Sequence, residues 1–136
     1  MRALTLHSCQ MSWSHMSIIQ SLPNLQFLKL KHRAFEGSCW NTDGQEFQQL
    51  TFLRLEGLNI KEWEACILSF PCLGQLEIYS CKDLKGIPLE IGDIPTLELI
   101  RINDCNDFVS KSVKRIQEEQ NDLGNFDLKI ELGRAL

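Results

Sequence analysis

The sequence lacks long apolar runs and the acceptor site for N-linked glycosylation. No stretch approaches the ~18 consecutive apolar residues that a membrane-spanning helix needs. The first ten residues contain no extended apolar segment of the kind found in signal peptides. No Asn-x-Ser/Thr triplet occurs anywhere in the chain. These absences predict a protein with no membrane segment that is not secreted.

Recognisable catalytic and metal-binding motifs are also missing. There is no glycine-rich phosphate loop, no Gly-x-Ser-x-Gly and no His-Glu-x-x-His. No Cys-x-x-Cys pair is present, and the three histidines do not cluster at ligand spacing. Any cysteine can be paired on paper with a histidine base, so such pairs carry no weight. We therefore predict that the chain is not an enzyme and has no catalytic residue, cofactor or metal site.

The charge balance and the cysteine spacing limit the partners and the compartment. The chain has 14 Lys and Arg against 18 Asp and Glu, a net charge of -4. Without a positive field, nucleic acid is not an expected partner. The six cysteines fall at irregular intervals, which does not indicate a disulfide framework. Unpaired thiols are typical of a reducing compartment, so a cytoplasmic location is expected.

A repeated apolar pattern runs along almost the whole chain. The motif is Leu-x-x-Leu-x-Leu, with Ile, Met or Phe allowed at the apolar positions. Successive copies start 24, 25, 23, 24 and 26 residues apart, within the spacing of leucine-rich repeats. The copies begin at Met1, Leu25, Leu50, Leu73 and Leu97, with a weaker sixth copy at Leu123. Residues 1–136 are therefore expected to form one leucine-rich-repeat domain, with a capping unit near residue 123.

The two-residue alternation within each motif predicts a short strand. Parallel strands from successive units would then form a curved sheet on the concave side of an α/β solenoid. Helical spacing after the strands predicts short helices and 3₁₀ turns on the convex side, where three tryptophans, Trp13, Trp40 and Trp63, are expected to pack. The side chains predicted to point inward from the strands and to be buried are Leu4, Leu6, Leu28, Leu30, Leu53, Leu55, Leu76, Ile78, Ile100 and Ile102.

The two ends of the chain differ. Past Asp107, the stretch SKSVKRIQEEQ predicts a charged helix with Val113 and Ile116 inward. The alternating DLKIEL then predicts a strand with Leu128, Ile130 and Leu132 inward, and this polar end is expected to act as a cap. The first unit has no comparable cap, which predicts that the chain is a fragment from the end of a longer solenoid.

Three further features of the units carry structural predictions. Cys9, Cys81 and Cys105 occupy the ninth position of their units, where the side chain can hydrogen-bond the backbone of a buried turn. They are expected to be buried and reduced. The second unit contains a polar segment, EGSCWNTDGQE, without clear periodicity, which we interpret as a loop on the convex side. In the third unit, Ile60, Trp63 and Ile67 have nearly helical spacing.

Outward residues of the predicted strands form the candidate binding surface. The second and third strands present aromatic and cationic side chains, and two outward Phe residues beside cations are unusual on a solvated face. The alternative is an ordinary solvated sheet, in which Glu56 and Glu77 neutralise the cations. The residues predicted to contact a protein partner are Phe27, Lys29, Lys31, Phe52, Arg54, Glu77, Tyr79 and Arg101.

Four stretches resemble one plant protein family, and together they cover nearly the whole chain. They are LPNLQFLKLKHRAFEGSCW, EFQQLTFLRLEGLNIKEWEA, FPCLGQLEIYSCKDLKGIPLEIGDIPTLELIRINDC and IQEEQNDLGNFDLKI. The family is the plant intracellular nucleotide-binding leucine-rich-repeat resistance proteins, in particular the coiled-coil, late-blight-resistance-like group. The most specific part of the resemblance is the pattern formed by Leu76, Ile78, Cys81 and Leu84, followed by Ile87-Pro88.

The resemblance implies a role in plant defence. In such receptors the repeat domain holds the nucleotide-binding module inactive and contributes to recognition of a pathogen effector. The implied partners are therefore an effector or other domains of the receptor. The phosphate-binding loop and the coiled coil of the family are not in this sequence, so nucleotide binding is not carried over. Two other hypotheses stay open: the substrate-recognition repeat of an F-box-type ubiquitin-ligase adaptor, and a nonfunctional truncated remnant.

Overall fold

The computed structural model describes residues 2–42 and 46–133. Its elements combine short strands with few helices. Along the chain they are β1 (Ala3–His7), β2 (Met11–Ser12), a 3₁₀ turn (Trp13–His15), α1 (Met16–Gln20), β3 (Phe27–Lys31), β4 (Phe35–Glu36), β5 (Cys39–Asn41), β6 (Phe52–Glu56), β7 (Glu62–Glu64), β8 (Gln75–Tyr79), a 3₁₀ turn (Leu89–Asp93), β9 (Leu99–Asn103), α2 (Asp107–Asp122) and β10 (Lys129–Leu132). None of the described helices is both long and apolar enough to traverse a bilayer.

The main sheet has six strands in the order β1-β3-β6-β8-β9-β10, which is also their order along the chain. Every neighbouring pair is parallel. Consecutive parallel strands need a crossover on one side of the sheet, and the remaining elements supply those crossovers. The result is an α/β structure with a parallel sheet, compatible with a leucine-rich-repeat-like fold.

The inward side chains of the four central strands form the core. All eight predicted from β3, β6, β8 and β9 are at most 3% exposed. The prediction was wrong for the first strand, since Leu4 and Leu6 are only partly buried. Within the described residues β1 has one neighbour, β3, so its side chains are covered from one side only. Sheet position, which a single repeat does not reveal, therefore decides how deeply equivalent leucines are buried.

Aromatic rings stack in a column among the elements that connect the strands of the main sheet. Trp13 stacks on Trp40 with ring centroids 4.9 Å apart, and Trp40 stacks on Trp63 at 5.4 Å. Phe35 also stacks on Trp13, with ring centroids 4.8 Å apart, while Phe70 meets Trp40 edge-on at 6.1 Å. All three tryptophans are buried, as their matching positions in the repeat predicted.

The polar segment of the second unit is more ordered than its composition suggested. It contributes β5, which pairs with β7 and sets Trp40 opposite Trp63. Residues 43–45 of that segment lie outside the described part of the chain. The nearly helical spacing of the third unit was misleading, because Trp63 lies in the short strand β7 and Ile67 is 37% exposed. Here aromatic stacking between neighbouring units outweighs the local spacing of apolar residues.

Helix α2 forms where a charged helix was predicted, and it buries Val113 and Ile116. The side chain of Asn106 caps it by accepting hydrogen bonds from the backbone N–H groups of Phe108 and Val109. The helix packs closely on the second 3₁₀ turn: a Cβ added at Gly92 would lie 2.5 Å from Cγ2 of Ile116. Glycine is therefore required sterically at this contact.

The last strand lies four residues later than the repeat starting at Leu123 predicted. Ile130 pairs with Ile100, so the inward positions of the sixth unit are Ile130 and Leu132 in place of Phe126 and Leu128. Phe126 is 74% exposed. Leu128 is buried and Ile130 partly buried, as the alternation of DLKIEL predicted, but Leu132 is 43% exposed. The length of α2 delays the return of the chain to the sheet.

A left-handed residue follows each of the first five main strands. We call these five the corner residues: Ser8 (φ 58°), His32 (φ 30°), Gly57 (φ 64°), Ser80 (φ 53°) and Asp104 (φ 56°). The backbone N–H groups of the first four join neighbouring units; that of Ser80, for example, donates to the carbonyl of Asn103 at 3.0 Å. At Gly57 a Cβ would also lie 2.7 Å from Nδ1 of His32. The chain thus leaves the sheet by the same turn in successive units.

Candidate protein-binding face

One face of the main sheet carries the polar and aromatic side chains, and we call it the open face. Because side chains alternate along a strand, every second residue of each strand points away from the core. The strand register arranges these residues in three rows that cross the sheet. The first row is Phe27, Phe52, Gln75, Leu99 and Lys129; the middle row is Lys29, Arg54, Glu77, Arg101 and Glu131; the third row is Lys31, Glu56, Tyr79 and Asn103.

The middle row contains an alternating network of charges. Glu77, with a side chain only 5% exposed, lies between two arginines: its Oε1 is 3.2 Å from Nε of Arg54 and its Oε2 is 3.1 Å from a guanidinium nitrogen of Arg101. Nε of Arg101 continues the network to Glu131 at 2.5 Å. This hydrogen bond to Glu131, followed by one to Tyr79, raises the pKa of Arg101 above its ordinary value. Two cations and two anions therefore neutralise one another.

The contact between Arg54 and Glu77 is electrostatic and not a well-directed hydrogen bond. Nε of Arg54 is buried and has no acceptor in hydrogen-bonding geometry among the described residues, although the carboxylate is 3.2 Å away. Glu77 also accepts a hydrogen bond from the amide of Gln75. Donors of Arg54, Arg101 and Gln75 therefore surround this carboxylate and hold it in place. Glu77 is thus held within the face by Arg54 and Arg101, with 5% of its side chain exposed.

Aromatic rings extend beside this network. The rings of Phe27 and Phe52 are 6.2 Å apart, and Phe27 is 40% exposed. Nζ of Lys29 lies 5.8 Å from the centre of the Phe52 ring, within the range of a cation–π contact. Across the sheet, the guanidinium carbon of Arg54 is 4.5 Å from the centre of the Tyr79 ring. The structure therefore brings five of the predicted residues into one contiguous aromatic and cationic surface.

The cations of β3 differ from Arg54 in their surroundings. Neither Lys29 nor Lys31 makes an ion pair with any other described residue. Lys31 lies opposite Glu56, but the carboxylate of Glu56 is 3.3 Å from Nε2 of His32. The sequence reasoning did not assign this contact, because His32 reaches the face only through its left-handed corner. The alternative hypothesis was that acidic residues neutralise the cations of this face. The structure shows such a pair for Arg54, with Glu77, but not for the two lysines.

Two open grooves cross the face on either side of the middle row. The first groove, of about 790 Å³, lies at the start of the strands and is lined by residues that include Phe27, Phe52, Leu99, Glu98, Asp127 and Lys129. The second, of about 800 Å³, lies at their ends, where Arg54, Tyr79, Arg101 and Asn103 are among the lining residues. Each has room for several side chains of a partner. The sequence analysis missed Glu98, which precedes its strand and so falls outside the alternation.

The predicted burial of Cys9, Cys81 and Cys105 is confirmed for two of the three. Cys81 and Cys105 are buried, and each Sγ donates to the carbonyl two residues before it, at 3.6 and 3.5 Å. Burial raises the pKa of Cys81 to about 12 and also raises that of Cys105. Cys9 makes the same contact, at 3.6 Å, but it is exposed and not buried as predicted. It belongs to the unit of β1, which is covered from one side.

The described part of the chain contains no candidate metal site. Across residues 2–42 and 46–133, no three or more His, Cys, Asp or Glu side chains come together as a group that could hold a metal ion. All six cysteines are unpaired. What the open face offers is aromatic area, paired and unpaired charges and two grooves, an arrangement suited to contact with another macromolecule.

Comparison with known proteins relates the chain to plant resistance proteins. No family model matches it. It is 38% identical over 113 residues to the putative late blight resistance protein homolog R1B-16 of Solanum demissum, a match that covers 82% of this chain. It is 36% identical over 116 residues to the homolog R1B-13, and 38% identical over 94 residues to late blight resistance protein R1-A, both of the same species. These two matches cover 82% and 68% of this chain.

The match is to a small part of each relative. The chain spans 9% of the length of homolog R1B-16, 10% of R1B-13 and 7% of R1-A. The resemblance noted in the sequence is thereby confirmed as homology to a region of late blight resistance proteins.

Proposed function

We propose that this chain, which is homologous to a region of late blight resistance proteins, is a leucine-rich-repeat interaction scaffold of a plant immune receptor. In this proposal the strands form a solenoid whose open face is concave. The face contributes to recognition of a pathogen effector and to autoinhibition by contact with other domains of the receptor. The six unpaired cysteines support a reducing, cytoplasmic location.

The repeat architecture supports the scaffold part of the proposal. Six parallel strands follow one another in chain order, and the corner residues turn the chain in the same way after successive strands. In solenoids each unit contacts its neighbours, and the stacked strands provide an extended binding surface. Residues 1–136 then form one domain, with α2 and β10 covering its C-terminal end.

The observation that carries the binding part is the aromatic pair of the open face beside unpaired cations. Phe27 is 40% exposed and touches Phe52, while Lys29 and Lys31 have no ion-pair partner among the described residues. A cross-strand phenyl pair stabilises a solvated sheet only modestly, whereas binding surfaces use aromatic and arginine side chains as anchors. Loss of one such anchor typically weakens binding by ~2 kcal/mol or more.

The test uses a chimaeric receptor. This chain replaces the matching segment of late blight resistance protein R1-A, and the defence response is scored in leaves as cell death with and without the triggering pathogen. Phe27→Ala combined with Lys29→Glu is expected to change that response, either by releasing autoinhibition or by abolishing recognition. Association of the chimaeric segment with the rest of the receptor, expressed as separate polypeptides, is measured in parallel.

A matched control lies on the outer surface of α2. Lys111→Glu with Phe108→Ala changes one cation and one phenyl ring, and Phe108 is 63% exposed. The control is expected to behave as the unmodified chimaera. If both double variants accumulate normally and give the response of the unmodified chimaera, and association is also unchanged, the open face is not the functional surface.

A further inference from the structure

We propose that the first groove binds an extended peptide segment of the partner protein, with an apolar anchor at the β3 and β6 end and a basic side chain at the β9 and β10 end. This inference rests on the proposed function, because it concerns the same open face. It adds the chemistry of the partner segment and the direction in which that segment crosses the strands.

The charges of the groove are unevenly distributed. Glu98 and Asp127 line it, are exposed, and make no ion pair with any other described residue. Glu131 also lines it but is held by Arg101 at 2.5 Å. Lys129 is the cation among the lining residues. The end of the groove at β9 and β10 therefore has a net negative charge that would attract a cationic side chain.

The opposite end is aromatic. Phe27 and Phe52 form its wall, with Phe27 40% exposed. Burying one phenyl ring against an apolar partner removes an exposed area from water and stabilises a complex. The lysines of β3 belong to the middle and third rows and do not line this groove. The two ends thus favour different side chains of the same partner.

The spacing of the strands sets the length of the segment. From β3 to β10 there are four intervals between neighbouring strands, or about 19 Å at ~4.8 Å each. An extended chain covers that distance in about six residues at ~3.3 Å per residue. Because the anchor lies at β3 and β6 and the basic side chain at β9 and β10, two to four of these intervals separate them, and they are expected about three to six positions apart in the partner.

The unpaired charges of the first groove are opposite in sign to those of β3. Lys29 and Lys31 by themselves favour an acidic partner, but neither of them lines either groove. An acidic segment in the first groove would bring its carboxylates close to Glu98 and Asp127. Repulsion between like charges disfavours that arrangement.

The test selects twelve-residue peptides from a random phage-displayed library on the immobilised 136-residue chain. Enriched peptides are expected to carry Lys or Arg and an aromatic or aliphatic residue about three to six positions apart. Glu98→Lys combined with Asp127→Lys is expected to weaken binding of the selected peptides about tenfold. On this variant, a fresh selection should favour Asp and Glu in place of Lys and Arg.

A control variant carries the same charge change elsewhere. Glu118→Lys with Asp122→Lys lies on exposed positions of α2 and should leave the selected peptides and their affinities unchanged. The circular dichroism spectrum of each variant is compared with that of the unmodified chain to check that the variant folds. Phe52→Ala provides a second measurement that changes no charge and should weaken the same peptides.

Three results would overturn the inference: enrichment of acidic peptides on the unmodified chain, enrichment that the groove variants do not alter, and no enrichment at all. None of these would refute the proposed function, because the chimaeric receptor tests the open face without reference to this groove or to peptide charge. Conversely, loss of the proposed function in the receptor assay leaves the peptide selection interpretable as a property of the chain itself.

Discussion

Trp40 and Trp63 stack with their ring planes 6° from parallel and their centroids 5.4 Å apart. The indole N–H of each is buried without an acceptor among the described residues. Leaving such a donor unpaired is costly, so the packing of the rings must outweigh that cost. The stack joins β5 and β7, the strands behind the second and third units, and so holds together a region that has no helix among its described residues.

Trp40→Ala is expected to lower the free energy of unfolding by about 3–5 kcal/mol, the range for removing a large aromatic side chain from a core. Trp40→Phe should cost clearly less, since it keeps a ring and removes the unpaired N–H. Urea denaturation followed by circular dichroism measures both. Equal losses for the two variants would contradict the central role of ring packing.

Glu77→Ala is expected to destabilise the fold by about 2–4 kcal/mol, because it leaves two partly buried arginines without their shared carboxylate. Glu131→Ala removes a carboxylate that is 53% exposed, so it should cost less than about 1 kcal/mol. The difference between the two variants in urea denaturation checks the prediction. Equal effects would mean that Glu77 is as well solvated as Glu131.

Gly92→Ala is expected to cost about 1–3 kcal/mol, because the added methyl group would clash with Ile116. In an Ile116→Ala background the clash disappears, and the same change at Gly92 should cost little. A double-mutant cycle of thermal or urea stability measures this coupling. Additive effects would show that the 3₁₀ turn and α2 do not press together at this point.

Stability should fall at alkaline pH because of Cys81. Its pKa is about 12 in the folded chain against an ordinary 9.0. The folded state therefore binds the proton more tightly, so its stabilising contribution is complete below pH 9 and is lost as the pH rises towards 12. The loss approaches ~1.4 kcal/mol per pH unit in that window. Cys81→Ala should remove this part of the slope, and identical slopes in the two proteins would contradict the assignment.

Thiol labelling separates the cysteines of the repeat. At neutral pH in the native state, a bulky reagent should modify Cys9 rapidly, whereas Cys81 and Cys105 should react only as fast as the protein opens. Mass spectrometry of peptides at timed intervals resolves the three sites. Rapid modification of Cys81 would show that its unit is not packed as described.

The central strands could be predicted from the sequence because one strong pattern determines them. In β3, β6, β8 and β9 the period of two places the leucines and isoleucines inward, and the register follows from the repeat. The pattern was less accurate for β1 and β10, the first and last strands of the sheet. It did not indicate that Leu4 would be half-covered, because burial depends on the neighbouring strand, nor that β10 would begin at Lys129, because the intervening helix has no fixed length in the repeat.

The sequence predicted which residues lie on the open face, but not which of them would be buried or paired with one another. Alternation alone indicated that Phe27, Phe52 and Arg54 would lie together. It could not indicate that Glu77 would be buried between two arginines, or that Lys29 would remain unpaired, because these outcomes depend on side-chain lengths and rotamers across three strands. The corner residues were also missed. Gly57, His32 and Asp104 are residue types that occur readily in a left-handed backbone, but Ser8 and Ser80 are not obvious candidates.

The corner residues also bear on how such a gene can change length. Because a left-handed residue follows each of these strands, the segment between one corner and the next is a module of roughly two dozen codons. Duplication or loss of a whole module by unequal recombination would preserve every remaining turn, whereas insertion of a single codon between a strand and its corner would displace all the hydrogen bonds that join two units. Variation in the number of modules is therefore the kind of mutation to which this architecture is most tolerant.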